Sequence, residues 1–419
     1  GRSNMEEAHA TIIDYDDLPG ASVLGNKVGF FGVYDGHGGE KAAIFTGKHL
    51  HNIVSNTAAC KAQDYVQALK DGFLNCDQAI LRDYEMRDDD SGCAATAVII
   101  TPKAIFCGNA GDSRTIMSIN GYAKALSYDH KPLNEGEKTR ICSAGGYVDM
   151  GRVNGNLALL RGIGDFEFKR NPDLPPEEQI VTCYPDVLVH NTDLERDEFV
   201  VLACDGIWDC LTSQQCVECV RRGISERKPL TKICEEIMEL CCAPTSDGLG
   251  IGCDNMSIVI VALLDETKGE TLDQWYDRMI SKIEKAEKTP DSREVGPLSP
   301  EYDVIYKDLF GGHYLIGQHS EDARGGGYGS RFGGGDTIAG RGASFDEEET
   351  RETPGLADGA ILLQKLLASN AISHENGAIY LDPPLAQLLL AHFVMSSADV
   401  VLDVAVDGGD NIGHVDEIK

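Results

Sequence analysis

The sequence predicts an α+β domain in which antiparallel strands and pairs of helices form separate layers. Two amphipathic segments, 40–54 and 62–84, have the apolar spacing of helices and follow one another directly. A run of three short strands over 96–119 comes next and ends in Asn120-Gly121, a dipeptide typical of a two-residue hairpin turn. Blocks of consecutive strands and consecutive helices favour a layered α+β domain over a wound βαβ domain.

The same criteria place the remaining elements of this domain. Further strands are predicted at 9–15, 27–34, 198–204 and 257–264, and further helices at 132–145, 213–222, 230–242 and 272–285. The intervening stretch 148–185 is polar and rich in turn residues. No apolar run reaches the length of a membrane span.

Composition narrows the class of protein. The chain has 419 residues and a formal net charge of −31 at pH 7, which disfavours binding to nucleic acid or to anionic membranes. Its 14 cysteines all lie between Cys60 and Cys253, several of them inside apolar segments. This distribution is expected for buried free thiols in a reducing compartment, here the cytoplasm or the nucleus. The lone Cys-x-x-Cys at 216–219 is better explained by helix packing than by zinc or redox chemistry.

One stretch near the start of the chain carries a pattern suited to a ligand site. The apolar run from Val28 to Tyr34 ends in Asp35-Gly36-His37-Gly38-Gly39. A strand that stops at a carboxylate leaves that group on the rim of a sheet, and the glycines allow the Gly36 carbonyl to approach a ligand closely. His37 is placed to transfer a proton beside Asp35. A tight turn capped by a buried aspartate is the structural alternative.

The same arrangement recurs downstream. A second apolar run, 199–204, ends at Asp205; Asp254 precedes a third run, 257–263; and Asp112 follows a short strand. Unpaired carboxylates packed together repel one another and are costly to desolvate unless cations lie among them. A donor set made only of oxygen is the preference of Mg²⁺ or Mn²⁺ rather than of zinc.

These motifs and their order resemble those of the metal-dependent protein serine/threonine phosphatases of type 2C. The resemblance covers residues 2–264 and rests on Arg2-Ser3-Asn4-Met5-Glu6-Glu7-Ala8-His9, Asp35-Gly36-His37-Gly38-Gly39, Gly111-Asp112-Ser113-Arg114, Asp129-His130-Lys131-Pro132, Leu159-Leu160-Arg161-Gly162-Ile163-Gly164-Asp165, Asp205-Gly206-Ile207-Trp208-Asp209 and Asp254-Asn255-Met256-Ser257. The sequence around 205–219 and 241–247 is most similar to the fungal branch of that family, which opposes stress and cell-cycle kinases.

The resemblance implies a fold and an activity. The fold is a central antiparallel β-sandwich flanked by pairs of helices, with a binuclear metal site at one end and a flap within 148–185. The activity is hydrolysis of phosphoserine and phosphothreonine in proteins by a water that bridges two Mn²⁺ or Mg²⁺ ions about 3.5–4 Å apart. A weaker third ion is also implied. The expected partners are phosphorylated proteins, kinases among them, and the chain is expected to be a monomer.

The resemblance also assigns roles to residues. The expected metal ligands are Asp35, the Gly36 carbonyl, Asp205 and Asp254; Glu6 and Glu7 would hold metal-bound water, and Asp112 a third ion. Arg2 is expected to grip the phosphate with its guanidinium fork, and His37 to protonate the leaving oxygen. The remaining motif residues are expected to support the site. His9 should do so from behind the first motif, and Arg161, like Arg114, by pairing with carboxylates inside the fold. Asp209 and Asn255 are the other two expected supporting residues.

Two residues depart from the family pattern. Glu7 stands where the family usually has Asp, and it is expected to shift the contact with metal-bound water. Leu160 stands where the family usually has Ser, and it is expected to disturb the local packing.

Three other classes of function compete with this assignment. An inactive pseudophosphatase that binds phosphoproteins is the alternative to the enzyme. Two Cys-x₅-Arg segments, 76–82 and 216–222, have the count of the cysteine phosphatases but lie in predicted helices without a phosphate-binding glycine loop. A two-metal nuclease is disfavoured by the acidic surface.

Three regions are expected along the chain. Residues 1–288 form the catalytic domain, of which the first strand of the family fold is expected to be missing. Residues 289–358 are glycine-rich and acidic and are typical of a flexible linker. Residues 359–419 form a tail with two apolar segments, 360–367 and 385–395, which are either short docking helices or marginal helices in a disordered tail.

Overall fold

The computed structural model describes residues 5–17, 27–86, 88–131, 134–244, 251–288 and 295–311, and the backbone of short strands between 372 and 405. In chain order the strands are β1 (Glu7–Ile12), β2 (Gly29–His37), β3 (Gly92–Ile100), β4 (Ala104–Ala110), β5 (Arg114–Ile119), β6 (Tyr122–Ala125), β7 (Val148–Asp149), β8 (Arg152–Val153), β9 (Ile163–Gly164), β10 (Asp186–Asn191), β11 (Asp197–Ala203), β12 (Ile258–Ala262), β13 (Ile372–Glu375), β14 (Ala378–Leu381) and β15 (Val404–Ala405). The helices are α1 (Lys41–Ser55), α2 (Ala58–Lys61), α3 (Tyr65–Arg82), α4 (Glu135–Ser143), α5 (Asp205–Trp208), α6 (Ser213–Ser225), α7 (Leu230–Cys241), α8 (Leu272–Lys288) and α9 (Tyr302–Phe310).

Two antiparallel sheets form the centre of the domain. The first has the strand order β1-β2-β3-β4-β10, with β9 paired to β3, and the second has the order β12-β11-β5-β6. Strand β11 shows why the sheets stack. Val200 and Leu202 lie in an apolar cluster shared with the first sheet, whereas Phe199 and Val201 lie in a second cluster with the helices. Because side chains alternate along a strand, an unbroken apolar run is buried on both faces.

Helices cover the outer face of each sheet. Residues of α1 and α3, among them Leu50 and Phe73, pack in the cluster that includes Phe30 of the first sheet. Residues of α6, α7 and α8, among them Trp275, pack on the outer face of the second. The predicted α+β class, a β-sandwich flanked by helices, is therefore confirmed. Among the described residues, no helix has the length and hydropathy needed to cross a membrane.

A small separate cluster supports the turn-rich stretch that precedes β10. It contains Ile141 of α4, Val153 of β8, and Leu160, Phe168 and Val181 from the connecting loops. Leu160 is fully buried in this cluster. The leucine that departs from the family pattern therefore fills space between α4 and the β7–β8 hairpin, and the packing disturbance expected from sequence is not found.

The structure adds elements that the sequence did not predict. Short helix α5 begins at Asp205, and β10 adds an edge strand to the first sheet. Helix α9 falls within the predicted linker, yet Tyr302 and Tyr306 pack in the cluster on the second sheet, so the linker interpretation is wrong for residues 302–310. The apolar tail segments 360–367 and 385–395 lie outside the described residues. Between and beyond them, β13 pairs with β14 and β14 with β15.

Candidate metal centre and active-site cleft

Four predicted metal-site aspartates lie at one end of the sandwich. Asp35 lies near the end of β2, and Asp205 begins α5 directly after Cys204, the residue that follows β11. Asp254 precedes β12, which pairs antiparallel with β11 so that Ile258 is opposite Ala203. Asp112 lies in the connection from β4 to β5, where the chain passes from the first sheet to the second. Strand ends of both sheets therefore deliver the carboxylates to a common edge.

The first strand brings another carboxylate into the same place. In the β1–β2 register Glu7 is directly opposite Asp35, and ligand atoms of Glu7, Asp35 and Cys204 all lie within 4.8 Å of one another. The strands approach closely because residue 36 is glycine: a Cβ there would lie 2.1 Å from the carbonyl oxygen of Glu6. Strand β2 runs to His37, so Gly36 acts by permitting this approach, and the turn itself begins at Gly38, where φ is +67°.

Burial and mutual repulsion dominate the electrostatics of this centre. Burial, reinforced by the negative charge of Asp205 and Glu7, raises the pKa of Asp35 well above its ordinary value. Burial, with the charges of Asp205 and Asp129, likewise raises the pKa of Asp112 to about 7. The pKa of Glu7 is raised by burial first, with the nearby Asp205 and Asp254 adding to the shift. The protein alone therefore does not neutralise this group of acids.

The donor set fits a divalent cation. Both carboxylate oxygens of Glu7 are buried and make no hydrogen bond of regular geometry within the described part of the chain, although the side chains of Ser257 and Cys204 lie near enough to lower its pKa in part. Buried acceptors without a hydrogen-bond partner are rare in folded proteins, and a bound ion or water is the usual explanation for one. Carboxylate oxygens crowded at this spacing are the donors that Mg²⁺ and Mn²⁺ prefer. Cys204 also lies in this group, which the sequence did not predict. Its thiol accepts a hydrogen bond from the Ser257 amide at 3.2 Å, so we interpret it as a packed structural residue and not as a metal ligand.

The neighbouring motif residues hold the carboxylate-bearing segments together. The Asn255 side-chain oxygen accepts a hydrogen bond from the Glu6 amide at 3.3 Å, which ties β1 to the segment that carries Asp254. The Asp209 amide donates to the Asp205 carbonyl at 2.8 Å across α5, and the Asp209 side chain is exposed.

His37 is paired with an aspartate that the sequence analysis did not assign. The His37 Nε2 atom lies 2.7 Å from Oδ1 and 2.9 Å from Oδ2 of Asp165. The register explains the contact, because His37 is opposite Gly92 and Gly92 is opposite Gly164 across three strands. Asp165 is buried and has φ of +53°. A left-handed non-glycine residue beside a site is a signal of functional constraint, but φ is not visible in sequence.

The two motif arginines pair inside the fold, as predicted. Arg114 makes a two-point contact with Asp129, with Nε–Oδ1 of 2.9 Å and Nη2–Oδ2 of 2.7 Å. Arg161 contacts the buried Glu137 and donates to Asp186 at 2.9 Å. The contacts of Arg161 tie α4 to β10 beside the cleft. Burial alone would raise the pKa of Asp186, but the hydrogen bonds and charges of His130 and Arg161 outweigh it and lower that pKa.

A cleft of about 420 Å³ opens over the carboxylates. Its floor includes Asp35, His37 and Asp205, and its wall is formed by the turn-rich stretch, where the resemblance placed a flap; the wall residues are Arg152, Asn156, Leu157, Ala158, Leu159, Glu167 and Phe168. Arg152 is the cation among the described lining residues, and it was not singled out from sequence. The cleft is therefore acidic at its floor and carries a positive group on its wall.

Two further predicted site residues, Arg2 and His9, differ in where they lie, and the structure excludes a cysteine nucleophile. Arg2 lies outside the described residues, so its role stays a prediction. His9 is exposed on the edge strand β1 rather than packed behind the first motif. Cys76 and Cys216, which begin the two Cys-x₅-Arg segments, are fully buried in helices, and burial raises the pKa of Cys76 to about 12. Neither thiol can serve as a nucleophile.

Fold and site together define the class of the chain: a helix-flanked β-sandwich with a carboxylate centre suited to divalent cations at one end. The family model described as "Protein phosphatase 2C" matches residues 2–248, which is more than half of the chain. The chain belongs to the protein phosphatase 2C family.

Individual relatives agree with this assignment. "Protein phosphatase 2C homolog 2" of Aspergillus fumigatus is 51% identical over 290 residues, which cover 67% of this chain and 66% of the relative. The protein of the same name from Saccharomyces cerevisiae is 52% identical over 286 residues, covering 68% of this chain and 60% of the relative. The chain thus spans less than two thirds of the length of either, and the resemblance to the fungal branch is confirmed. A solved "C.elegans sex determining protein" shares the fold, with a TM-score of 0.53 at 22% identity over 66% of this chain and 64% of that one.

Proposed function

We propose that this chain is a protein serine/threonine phosphatase that depends on Mn²⁺ or Mg²⁺. The observation that carries the proposal is the convergence of Asp35, Asp205 and Asp254 with the buried Glu7 carboxylate, beside the His37–Asp165 pair. Family membership supports the reaction, and the relatives that are half identical to this chain are named as phosphatases.

The residues that would hold two cations are Asp35, the Gly36 carbonyl, Asp205 and Asp254, with Glu6 and Glu7 behind them and Asp112 toward a third. When bound, such cations supply neutralisation of the phosphoryl oxygens and a water molecule of lowered pKa. This charge would also offset the burial and the mutual repulsion that together raise the pKa of Asp35 and Asp112 in the protein alone.

The proton for the serine or threonine leaving oxygen is assigned to His37. Asp165 holds the ring of His37 at Nε2, and the ring lines the cleft beside Asp35 and Asp205, where it would transfer the proton. The buried aspartate fixes the orientation of the ring and stabilises its protonated form, as a carboxylate behind a histidine does elsewhere. Arg152 on the wall offers positive charge to a phosphorylated peptide entering an otherwise acidic cleft.

The physiological role proposed from the fungal resemblance is dephosphorylation of stress-activated or cell-cycle kinases by a monomer in the cytoplasm or nucleus. The pseudophosphatase alternative is not favoured, since the carboxylates and His37 are all present and brought together.

Phosphate release from a phosphothreonine peptide tests the proposal. Turnover should vanish when metal is chelated and return when Mn²⁺ or Mg²⁺ is titrated back. Asp205→Asn should abolish turnover while the far-UV circular dichroism is unchanged. The matched control is Asp273→Asn, since the Asp273 side chain is 90% exposed on α8, and it should behave as wild type. Turnover that survives chelation, or an active Asp205→Asn, would overturn the metal assignment.

A further inference from the structure

Helix α9 and the segment before it are fixed on the catalytic domain by buried contacts. Arg221 of α6 is fully buried and donates from Nη1 to the carbonyl of Gly296 at 2.8 Å, and the Gly296 amide donates to the carbonyl of Asn120 at 2.7 Å. Arg222 donates to the carbonyl of Ser299 at 2.8 Å and pairs with Glu301. Two adjacent arginines of one helix therefore hold residues 296–301 before α9 begins.

Helix α9 then packs against α6 and α7 through its aromatic face. The Tyr302 hydroxyl donates to the carbonyl of Cys219 at 3.1 Å, and the Tyr306 hydroxyl to the carbonyl of Cys242 at 3.3 Å. Tyr302 and Tyr306 are 8% and 4% exposed, and the rings of Tyr306 and Phe310 lie 4.9 Å apart. The first contact is with α6, whereas the second is with the residue that follows α7.

The end of α9 meets the segment that carries a metal ligand. The Ala243 amide donates to the carbonyl of Gly252 at 2.9 Å. Gly252 has φ of +74°, and a Cβ on it would lie 2.5 Å from the carbonyl oxygen of Cys241 and 2.8 Å from Cζ of Phe310. Gly252 is therefore enclosed between the end of α7 and the Phe310 ring, two residues before Asp254.

From Gly252 the chain leads directly into the carboxylate centre. The Asn255 carbonyl accepts a hydrogen bond from the Cys204 thiol at 3.6 Å, and a Cβ on Gly206 would lie 2.3 Å from the same oxygen. The segment 252–255 is thus held on one side by α9 and on the other by the residues around Asp205. Both this segment and α9 lie beyond residue 248, where the family match ends.

We propose that α9 is a positioning element for the metal centre, in which Phe310 packs directly on Gly252 while Tyr306 holds Cys242, next to the Ala243 that bonds to Gly252, so that Asp254 is fixed for cation binding. The inference rests on the metal site proposed above. An unsupported ligand segment samples more conformations, so binding a cation would cost more conformational entropy. Loss of the Phe310 contact is therefore expected to weaken Mn²⁺ binding although Phe310 is not itself a metal ligand.

Direct Mn²⁺ binding by the full chain, followed by calorimetry and by the free-Mn²⁺ electron paramagnetic resonance signal, tests this inference. Phe310→Ala should raise the Kd for Mn²⁺ about tenfold, at the low end of the range for residues behind metal ligands. Tyr306→Phe removes the hydroxyl that donates to Cys242 and keeps the ring, and it should shift the Kd in the same direction by a smaller factor. Phe310→Leu, which keeps an apolar side chain, should recover most of the affinity.

Tyr302→Phe is the matched control, since it removes the same kind of hydrogen bond from the same helix but on the side of α6. Its Kd for Mn²⁺ should stay within about twofold of wild type. In turnover assays Phe310→Ala should need more Mn²⁺ for half-maximal rate, with KM for the phosphopeptide unchanged at saturating metal.

Three outcomes are distinguishable. A wild-type chain that binds no Mn²⁺ would overturn the metal assignment, and the inference with it. A wild type that binds Mn²⁺, with Phe310→Ala and Tyr306→Phe binding it equally well, would overturn the inference and leave the proposed function intact. If Phe310→Ala does not fold, the Kd values of Tyr306→Phe and Tyr302→Phe for Mn²⁺ are compared instead. Equal affinities of these two variants would overturn the inference.

Discussion

His37 and Asp165 form a hydrogen-bonded pair at the mouth of the carboxylate centre, with Nε2 of His37 2.7 Å from Oδ1 of Asp165 although 128 positions separate the two residues. The buried carboxylate of Asp165 orients the ring of His37, the last residue of β2, and thereby supports the proton transfer proposed for it.

Asp165→Asn should lower kcat on a phosphothreonine peptide by about 10²-fold, because general acid catalysis contributes on this scale and the amide cannot stabilise a protonated ring. The loss should be much smaller on p-nitrophenyl phosphate, whose leaving group departs without a proton. Steady-state kinetics on the two substrates checks this, with Mn²⁺ affinity measured alongside. Equal losses on both would show that Asp165 acts through metal binding or folding instead.

Asp35→Asn should remove Mn²⁺ binding and lower turnover by about 10³-fold or more, since cation charge is worth several kcal/mol in the transition state. The metal-free variant should nevertheless be more stable than metal-free wild type, by about 1 kcal/mol, because a neutral amide avoids the cost of burying a charged carboxylate and the repulsion from Asp205 and Glu7. Urea unfolding of metal-stripped proteins measures this. A destabilised Asp35→Asn would show that the carboxylate serves the fold through contacts of its own.

The metal-free protein should lose stability as pH rises from about 4 to about 7. The Asp112 carboxyl keeps its proton to about pH 7 in the fold but only to its ordinary value of 3.8 when unfolded. Its proton therefore favours the folded state at the acid end of this window, and the advantage is lost as pH rises through the folded pKa. Unfolding free energies of metal-stripped protein across this range measure the slope, which Asp112→Asn should reduce. An unchanged slope in Asp112→Asn would assign the effect to other groups.

Leu160→Ala should destabilise the small cluster around α4 by about 2–4 kcal/mol, the usual cost of removing a fully buried leucine. Faster amide hydrogen exchange over 141–160 and a higher KM for phosphopeptide are expected, because this cluster supports the cleft wall. Met150→Ala in the same stretch removes a side chain that is 96% exposed and should change neither. If Leu160→Ala exchanges as slowly as wild type, the cluster does not control the wall.

The sequence by itself determined the layered α+β class, most helices and strands, and the carboxylates of the centre. Asp35, Asp205 and Asp254 were found because each adjoins an apolar run, and alternation of buried side chains along a strand is a local property that the sequence displays directly. Arg114 and Arg161 were correctly predicted to pair inside the fold.

Tertiary structure alone decided the features that depend on distant segments meeting. Asp165 reaches His37 only because β3 lies between β2 and β9, and the burial of its carboxylate and its positive φ exist only once those strands pair. Arg152 becomes part of the cleft through the packing of Val153 and Leu160. The packed helix at residues 302–310 was not predicted for the same reason: a short apolar helix beside glycine-rich sequence is marginal alone, and it is stabilised by burial against α7. Local pattern fixes elements and their ends, whereas contacts between elements are set by free energy gained when separate faces are buried together.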